Sequence, residues 1–388
     1  LSPQKILSSQ NIHNAKHYDV VGIGNAMVDI LSREAEAFIG EHQLNKGNMT
    51  LVALDRSNFL RSVIGPSHME SGGSAANTIV GVADLGGRTG FIGKVGVDEL
   101  GQVFREDIRA AGVTFDVPSA VEELVGGQGD LATARCIIIV TPDAVRTMNT
   151  YLGAAAYLYP DDIDANLIAS AKVLYCEGYI WDVPITKQAI RGAIDIARRA
   201  DTEISFTLSD TRCVSRHLRE WHELLDGSID ILFGNEAELA ELTGATSLAE
   251  SVEIVRQKCK VVCATRGKHG SLVVTQDEII EIAPYAVPVR VDTTGAGDMY
   301  AAGFLYGYTA GLDLELCGRL ASVVAGEIIT QHGARYEKDL VGLVERELGI
   351  NCGDLADRLV PQGAFSSAGQ PLQPTGQFSP TSRPDLNT

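Results

Sequence analysis

The sequence predicts an α/β fold: a central, mainly parallel sheet flanked by helices, with a small β-rich lid beside it. Apolar runs of strand length recur at "YDVVGI", "RTGFIG", "AKVLYCE", "EISFTLS", "IDILFGN", "KVVCAT" and "SLVV". Helix-like stretches such as "ITKQAIRGAIDIARRA" and "NEAELAELTG" separate several of them. That alternation gives βαβ units and a parallel sheet covered on both faces. Two stretches break it, residues 31–52 and about 117–150. Their β-prone segments "GNMTLVAL" and "ARCIIIVTP" have no obvious helices of their own, and together they predict a lid over the carboxyl edge of the main sheet.

In chain order, residues 1–17 read as an N-terminal extension without the long apolar centre of a secretory signal. Residues 18–336 form the main domain, starting with "YDVVGIGNAMVDIL", a buried strand running into a glycine-bearing loop. Residues 337–388 read as a C-terminal helix and a flexible tail rich in Pro, Ser, Gly and Gln. The 388 residues are enough for a sizeable core, and 45% hydrophobic with 21% charged residues is ordinary for a globular chain. A formal net charge of −18 argues against a nucleic-acid partner. No run of 18 apolar residues is present, so no membrane span is expected. Seven scattered cysteines, without a CxxC pair or zinc-like spacing, point to reduced thiols and a cytoplasmic location.

The chemistry concentrates in a few short stretches. In "VDTTGAGDMYAAGF" (residues 291–304), glycines permit a tight turn and close backbone approach before a helix starts. Amides exposed at such a start attract phosphate, and Asp298 beside them could accept a hydroxyl proton. The residues alone leave open whether Asp298 does chemistry or caps the helix. "GNAMVDI" puts Asn25 and Asp29 just after the first strand, where a carboxylate can accept from a diol or simply cap a loop. "SGGSAANT" offers Gly73 for close approach and Asn77 for hydroxyl recognition, or a plain glycine turn entering a helix. "GNEAEL" holds Asn235 and Glu238 on one face of a helix start, a pattern that also suits a solvated acidic first turn.

The signature "DTTGAGDMYAAGF" resembles that of the ribokinase (PfkB) family of carbohydrate and nucleoside kinases, and "SGGSAANT…GKVGVDELG" resembles its second signature. The similarity spans about residues 18–336 and implies a ribokinase-like fold and ATP-dependent phosphoryl transfer. It implies Asp298 as catalytic base, an anion hole at Gly295, Ala296 and Gly297, and acceptor contacts from Asn25, Asp29, Gly73 and Asn77. "ATRGKHG" resembles the nucleotide-binding turn, giving Thr265 and Gly267, with Asn235 and Glu238 near a magnesium held through ATP and water rather than directly by protein. Arg146, in "TPDAVRTMNTYLGAA", resembles a lid arginine lying near the transferred phosphate once the lid closes.

Within the family the chain is most similar to adenosine kinases, which implies adenosine to AMP as the reaction. Tyr179 and Trp181 in "CEGYIWDVP" could then flank a base or simply pack after a strand. One departure is Arg212 in "FTLSDTRCV", near the place where animal-type adenosine kinases carry a stacking aromatic. A sugar kinase acting on fructose or ribose is therefore the alternative, followed by a catalytically silent binding homologue. The family also implies K+ activation through the loop near Asp292 as an option, and a monomer or a homodimer. The eight His and seven Cys form no ligand cluster in sequence, so neither a structural metal nor a thiol nucleophile is expected.

Overall fold

A computed structural model describes residues 16–120, 131–143, 145–336, 338–353 and 355. Most of the N-terminal extension, lid residues 121–130 and the tail lie outside the described residues.

The chain begins with β1 (Tyr18–Ile23) and, three residues later, β2 (Met27–Arg33). Then come α1 (Glu36–Glu41), β3 (Met49–Leu51), α2 (Leu54–Val63), β4 (Ser67–Gly72), α3 (Ser74–Asp84), β5 (Thr89–Ile92) and α4 (Glu99–Ala110). The antiparallel pair β6 (Ala134–Val140) and β7 (Arg146–Tyr151) precedes α5 (Ala165–Ala169) and β8 (Ala171–Glu177). Alternation resumes with α6 (Pro184–Arg199), β9 (Glu203–Thr207), α7 (Thr211–Arg216), α8 (Leu218–Leu225), β10 (Ile231–Asn235), α9 (Glu236–Thr243), α10 (Leu248–Val255) and β11 (Val261–Thr265). The hairpin strands β12 (Ser271–Val274) and β13 (Ile279–Ile282) lead to α11 (Ala296–Thr309), α12 (Leu314–Ile328) and α13 (Leu340–Leu348).

The main sheet has the order β13-β12-β11-β10-β9-β8-β1-β5. From β11 to β5 all pairs are parallel, while β12 and β13 join antiparallel at the edge. The central strands are buried on both faces, as in β1, where Val20, Val21 and Ile23 are fully inaccessible; this is why they read as continuous apolar runs. The α/β architecture is thus the one the alternation predicts.

The second sheet has the order β3-β7-β6-β2-β4. It differs from the sequence reading in three respects. It takes in β2, which follows directly from the first strand, and β4, whose segment "SHMESG" is too polar to read as a strand. Helices α1 and α2 also lie between its strands. Its strands alternate. Val28, Ile30, Ile137 and Ile139 join the main core, while Cys136, Ile138 and Val140 form a separate small cluster with Met27, Leu31 and Met148. Period-two alternation therefore turns Met27 and Asp29 to the same side, above the carboxyl ends of the main strands.

Candidate active site

A cleft of about 1010 Å³ lies between the carboxyl edge of the main sheet and the lid. That volume sits at the upper end for a single small-molecule pocket, enough for a nucleotide and an acceptor side by side. Its lining includes Asn25, Asp29, Gly73, Asn77, Asn235, Glu238, Thr265, Gly295, Ala296, Gly297 and Asp298. These residues span nearly 280 positions of sequence and come from the ends of β1, β10 and β11, from β2, and from the starts of α3 and α11.

At the start of α11 Asp298 is not the capping residue. The residue flanking the helix is Gly295, at φ +75° and with no side chain to cap it, and Asp298 stands three residues further on. A Cβ at Gly295 would lie 2.7 Å from that of Ala334, so glycine is required both by φ and by space. Asp298 is engaged across the cleft floor instead. Ser74 Oγ donates to its Oδ1 at 2.7 Å, and Asn77 Nδ2 donates to its Oδ2 at 3.0 Å. Burial raises the Asp298 pKa above the usual carboxylate range, and the bonds from Ser74 and Asn77 with the charge of Arg335 pull the other way. Each oxygen keeps a lone pair for a ligand hydroxyl.

Asn77 reads unambiguously. Its Oδ1 accepts from Arg335 Nε at 2.9 Å, so the amide nitrogen must face Asp298. Asn25 donates through its backbone and its Nδ2 to Glu177 Oε1, at 2.9 and 2.6 Å, leaving its own side-chain oxygen unengaged by that residue. Glu177 Oε2 accepts from Ala75 N at 2.7 Å, which ties β8 to the first turn of α3. Gly73, at φ +103°, lies so close to Asn25 that a Cβ would meet its carbonyl oxygen at 2.1 Å. Asp29 faces the cleft with a pKa pushed up to about 7, first by burial and then by Glu70.

At the ends of β10 and β11, Asn235 and Glu238 form a reciprocal cap of α9. Asn235 N donates to Glu238 Oε2 at 2.9 Å, Asn235 Nδ2 to Oε1 at 2.7 Å, and Glu238 N back to Asn235 Oδ1 at 3.0 Å. Glu238 is thus buried in the cap rather than solvated, and both residues also line the cleft. Thr265 pairs in register with Asn235 at the strand ends. Gly267, at φ +53°, sits beyond it in the turn of the β11–β12 hairpin and is not among the cleft-lining residues.

Arg146 already reaches from the lid to the loop before α11, where it bonds Asp292 and Thr294. Asp292 also accepts from Thr294 N at 3.0 Å and from Gly333 N at 3.1 Å. For Trp181 the packing alternative is the one met. It is fully buried, tilted or edge-on to Phe206 and Trp221, and its Nε1 donates to Glu220, so it belongs to the core and not to a base-binding wall. Tyr179 does line the cleft, as does Arg212 at an exposed position.

Sequence reasoning missed Ser74, Glu177 and Arg335. Ser74 directly follows the glycine pair, and Glu177 is a charge ending an otherwise apolar strand; both patterns were readable. Arg335 carries no such signal, being 258 residues from the amide it holds.

A family model described as pfkB family carbohydrate kinase matches residues 64–339. The chain belongs to the pfkB kinase family. Among structures, it is similar to adenosine kinase from Sinorhizobium meliloti (44% identity, TM-score 0.79, covering 86% of this chain and 99% of that one). It is similar, with the same TM-score, to a probable sugar kinase protein from Rhizobium etli (40% identity, TM-score 0.79, 85% and 98%). Curated relatives include 5-dehydro-2-deoxygluconokinase of Shouchella clausii, 28% identical over 82% of this chain and 92% of that protein. They also include a nucleoside kinase of Methanothermobacter thermautotrophicus, 32% identical over 68% and 80%. As a pfkB kinase the chain uses ATP to phosphorylate a small sugar or nucleoside. Among the described residues no helix is long and apolar enough to cross a membrane.

A magnesium ion is usual for such kinases. Among the described residues no three His, Cys, Asp or Glu side chains converge to hold one. Both oxygens of Glu238 are engaged by Asn235, which suits contact through water.

Proposed function

We propose that this pfkB kinase phosphorylates the hydroxymethyl group of a nucleoside, with adenosine the best-fitting acceptor. The observation that carries this reading is the apolar underside of the lid. Met27, Met49, Leu51, Ile138 and Met148 line the cleft together. Register aligns Met49 with Met148 and Met148 with Ile138, so they form one row across three strands. A purine buries its faces against such a row, whereas a small polyhydroxylated sugar would leave it against water. The adenosine kinase at 44% identity supports the same reading.

In this reading Asp29, Asn25, Gly73 and Asn77 hold the ribose hydroxyls. The acceptor oxygen attacks the γ-phosphorus in line as the bond to the bridging oxygen of ADP breaks, and its proton passes to Asp298. Amides of residues 295–298 face the charge on the transferring group, at a helix start that glycines leave open. Thr265, Asn235 and Glu238 lie on the ATP side, with Gly267 outside the cleft lining in the turn beyond Thr265. When bound, magnesium neutralises phosphate charge and orients the leaving group. Arg146 adds a cation at the loop that carries the anion hole. K+ dependence through the Asp292 loop belongs to the same proposal and is read by replacing K+ with tetramethylammonium.

A sugar acceptor is the second reading, favoured by the 5-dehydro-2-deoxygluconokinases, which match the chain over most of their length. An ATP-consumption screen of adenosine, inosine, ribose, fructose and 5-dehydro-2-deoxygluconate separates the two. Preferred turnover of adenosine is expected; preferred turnover of a sugar rejects the nucleoside assignment. Asp298→Asn should fold normally and lose about 10³-fold in kcat, and near-normal turnover would remove Asp298 as the base.

A further inference from the structure

The loop after α12 touches both halves of the site without lining the cleft. Gly333 N donates to Asp292 Oδ2 at 3.1 Å, beside the anion-hole turn. Ala334 packs against Gly295, where a Cβ would meet it at 2.7 Å. Arg335 Nε donates to Asn77 Oδ1 at 2.9 Å. Gln331 braces this segment by donating to the Arg335 carbonyl at 2.5 Å. Three successive residues thus contact the turn before α11, its flanking glycine and the amide that holds Asp298.

We propose that Arg335 is a positioning residue for phosphoryl transfer, locking the Asn77 amide so that its nitrogen presents to Asp298 and its carboxylate is held toward the acceptor. The chain of donors runs one way: guanidinium to amide oxygen, amide nitrogen to carboxylate. A flipped amide would set donor against guanidinium and oxygen against carboxylate, so the cation excludes that rotamer. No uncharged residue at 335 supplies both the bond and the repulsion of the wrong orientation. The guanidinium is also the cation amid several carboxylates. Asp29 from β2, Glu70 from β4, Asp84 from α3 and Asp107 from α4 act on it. Arg335 in turn favours ionised Asp298, whose own charge acts on Asp29, Tyr175, Glu177 and Tyr179. Arg335 Nη2 is buried with no hydrogen-bond partner, so the residue's presence is not explained by saturated bonding of its own. The inference rests on Asp298 as the base, and its test separates the two ideas.

In ligand-free protein labelled with [13C]aspartate, the carboxyl resonance missing from Asp298→Asn identifies Asp298. Its titration midpoint should rise by about one pH unit in Arg335→Ala and Arg335→Gln and stay near wild type in Arg335→Lys. An unmoved midpoint in Arg335→Ala and Arg335→Gln overturns the proposal, whatever the activity of Asp298→Asn shows about the base. With adenosine and ATP, Arg335→Ala should lose about tenfold in kcat with an unchanged KM for ATP. Combined with Asn77→Ala it should cost no more than the larger single change, whereas additive losses overturn the proposal. If Arg335→Ala does not fold, Arg335→Gln enters the same cycle, because it keeps a long polar stem.

Discussion

Asp29 carries a conflict that pH can expose. Ligand-free, its pKa is pushed up to about 7 because burial and Glu70 both disfavour the charge. A folded-state pKa raised above the unfolded value means the folded protein holds the proton more tightly. This group's contribution to stability is then full below about pH 4 and lost as pH rises through about 7. Asp29→Asn removes that dependence. The variant should therefore gain about 1 to 3 kcal/mol on wild type between pH 5 and pH 8, read from urea midpoints without ligand. A constant difference across that range would show that Asp29 is not strained in the folded protein. Acceptor binding runs the other way, since the ionised carboxylate accepts the diol; the acceptor KM should rise as pH falls below 7. Glu177, also pushed up to about 7 by burial, shares the first trend, so only the comparison with the variant isolates Asp29.

At the scale of elements, two helices set the distance between Asn77 and Asp298. Asn77 and Gly81 lie one turn apart on α3, and Asp298 and Ala302 one turn apart on α11. A Cβ at Gly81 would meet the Ala302 Cβ at 2.8 Å and Met299 Sδ at 2.9 Å. The bare backbone of Gly81 thus brings the helices close one turn below the Asn77–Asp298 bond. Gly81→Val should push them apart, costing about 1–3 kcal/mol by overpacking. The displaced base should lower kcat by about 10²-fold. Thermal denaturation and kcat measure the two effects, and a destabilised variant with wild-type kcat would break the link between seam and site. The elements also show what was legible. Buried strands and the glycine-rich turn declare themselves through apolar runs and local residue types. Strand β4 does not, because "SHMESG" is largely exposed and pairs through backbone that any sequence can offer. Trp181 was ambiguous for a related reason: an aromatic after a strand can face cleft or core, and only α8, arriving forty residues later with Trp221, decides.

Across the whole molecule, the site is assembled from pieces whose local patterns were readable and whose pairings were not. Asp298, Asn77, Asn25 and Asp29 were identifiable from short stretches, and the fold brings them to one cleft. The loop that braces them, residues 331–336, has no periodicity, and its importance lies in long-range contacts with Asp292, Gly295 and Asn77. It also meets the lid, where Arg33 bonds His332 at 2.6 Å and Glu70 lies against Gly333. The lid, the turn before α11 and Asp298 are therefore parts of one connected assembly.

The seven thiols give this architecture a clock. All are free and buried, six in the main core and Cys136 beneath the lid. Burial pushes Cys213, Cys259 and Cys317 up to about 12, and burial with Asp29 does the same to Cys136. The native protein should thus resist a thiol-reactive aromatic disulfide at pH 8. Cys136 lines the cleft, so it should be modified first and be shielded by a bound acceptor. The other six should report opening of the core, their release rate following global unfolding. Early release of all seven from ligand-bound enzyme would contradict that order. Absorbance of the released chromophore would then time lid access and unfolding in one trace.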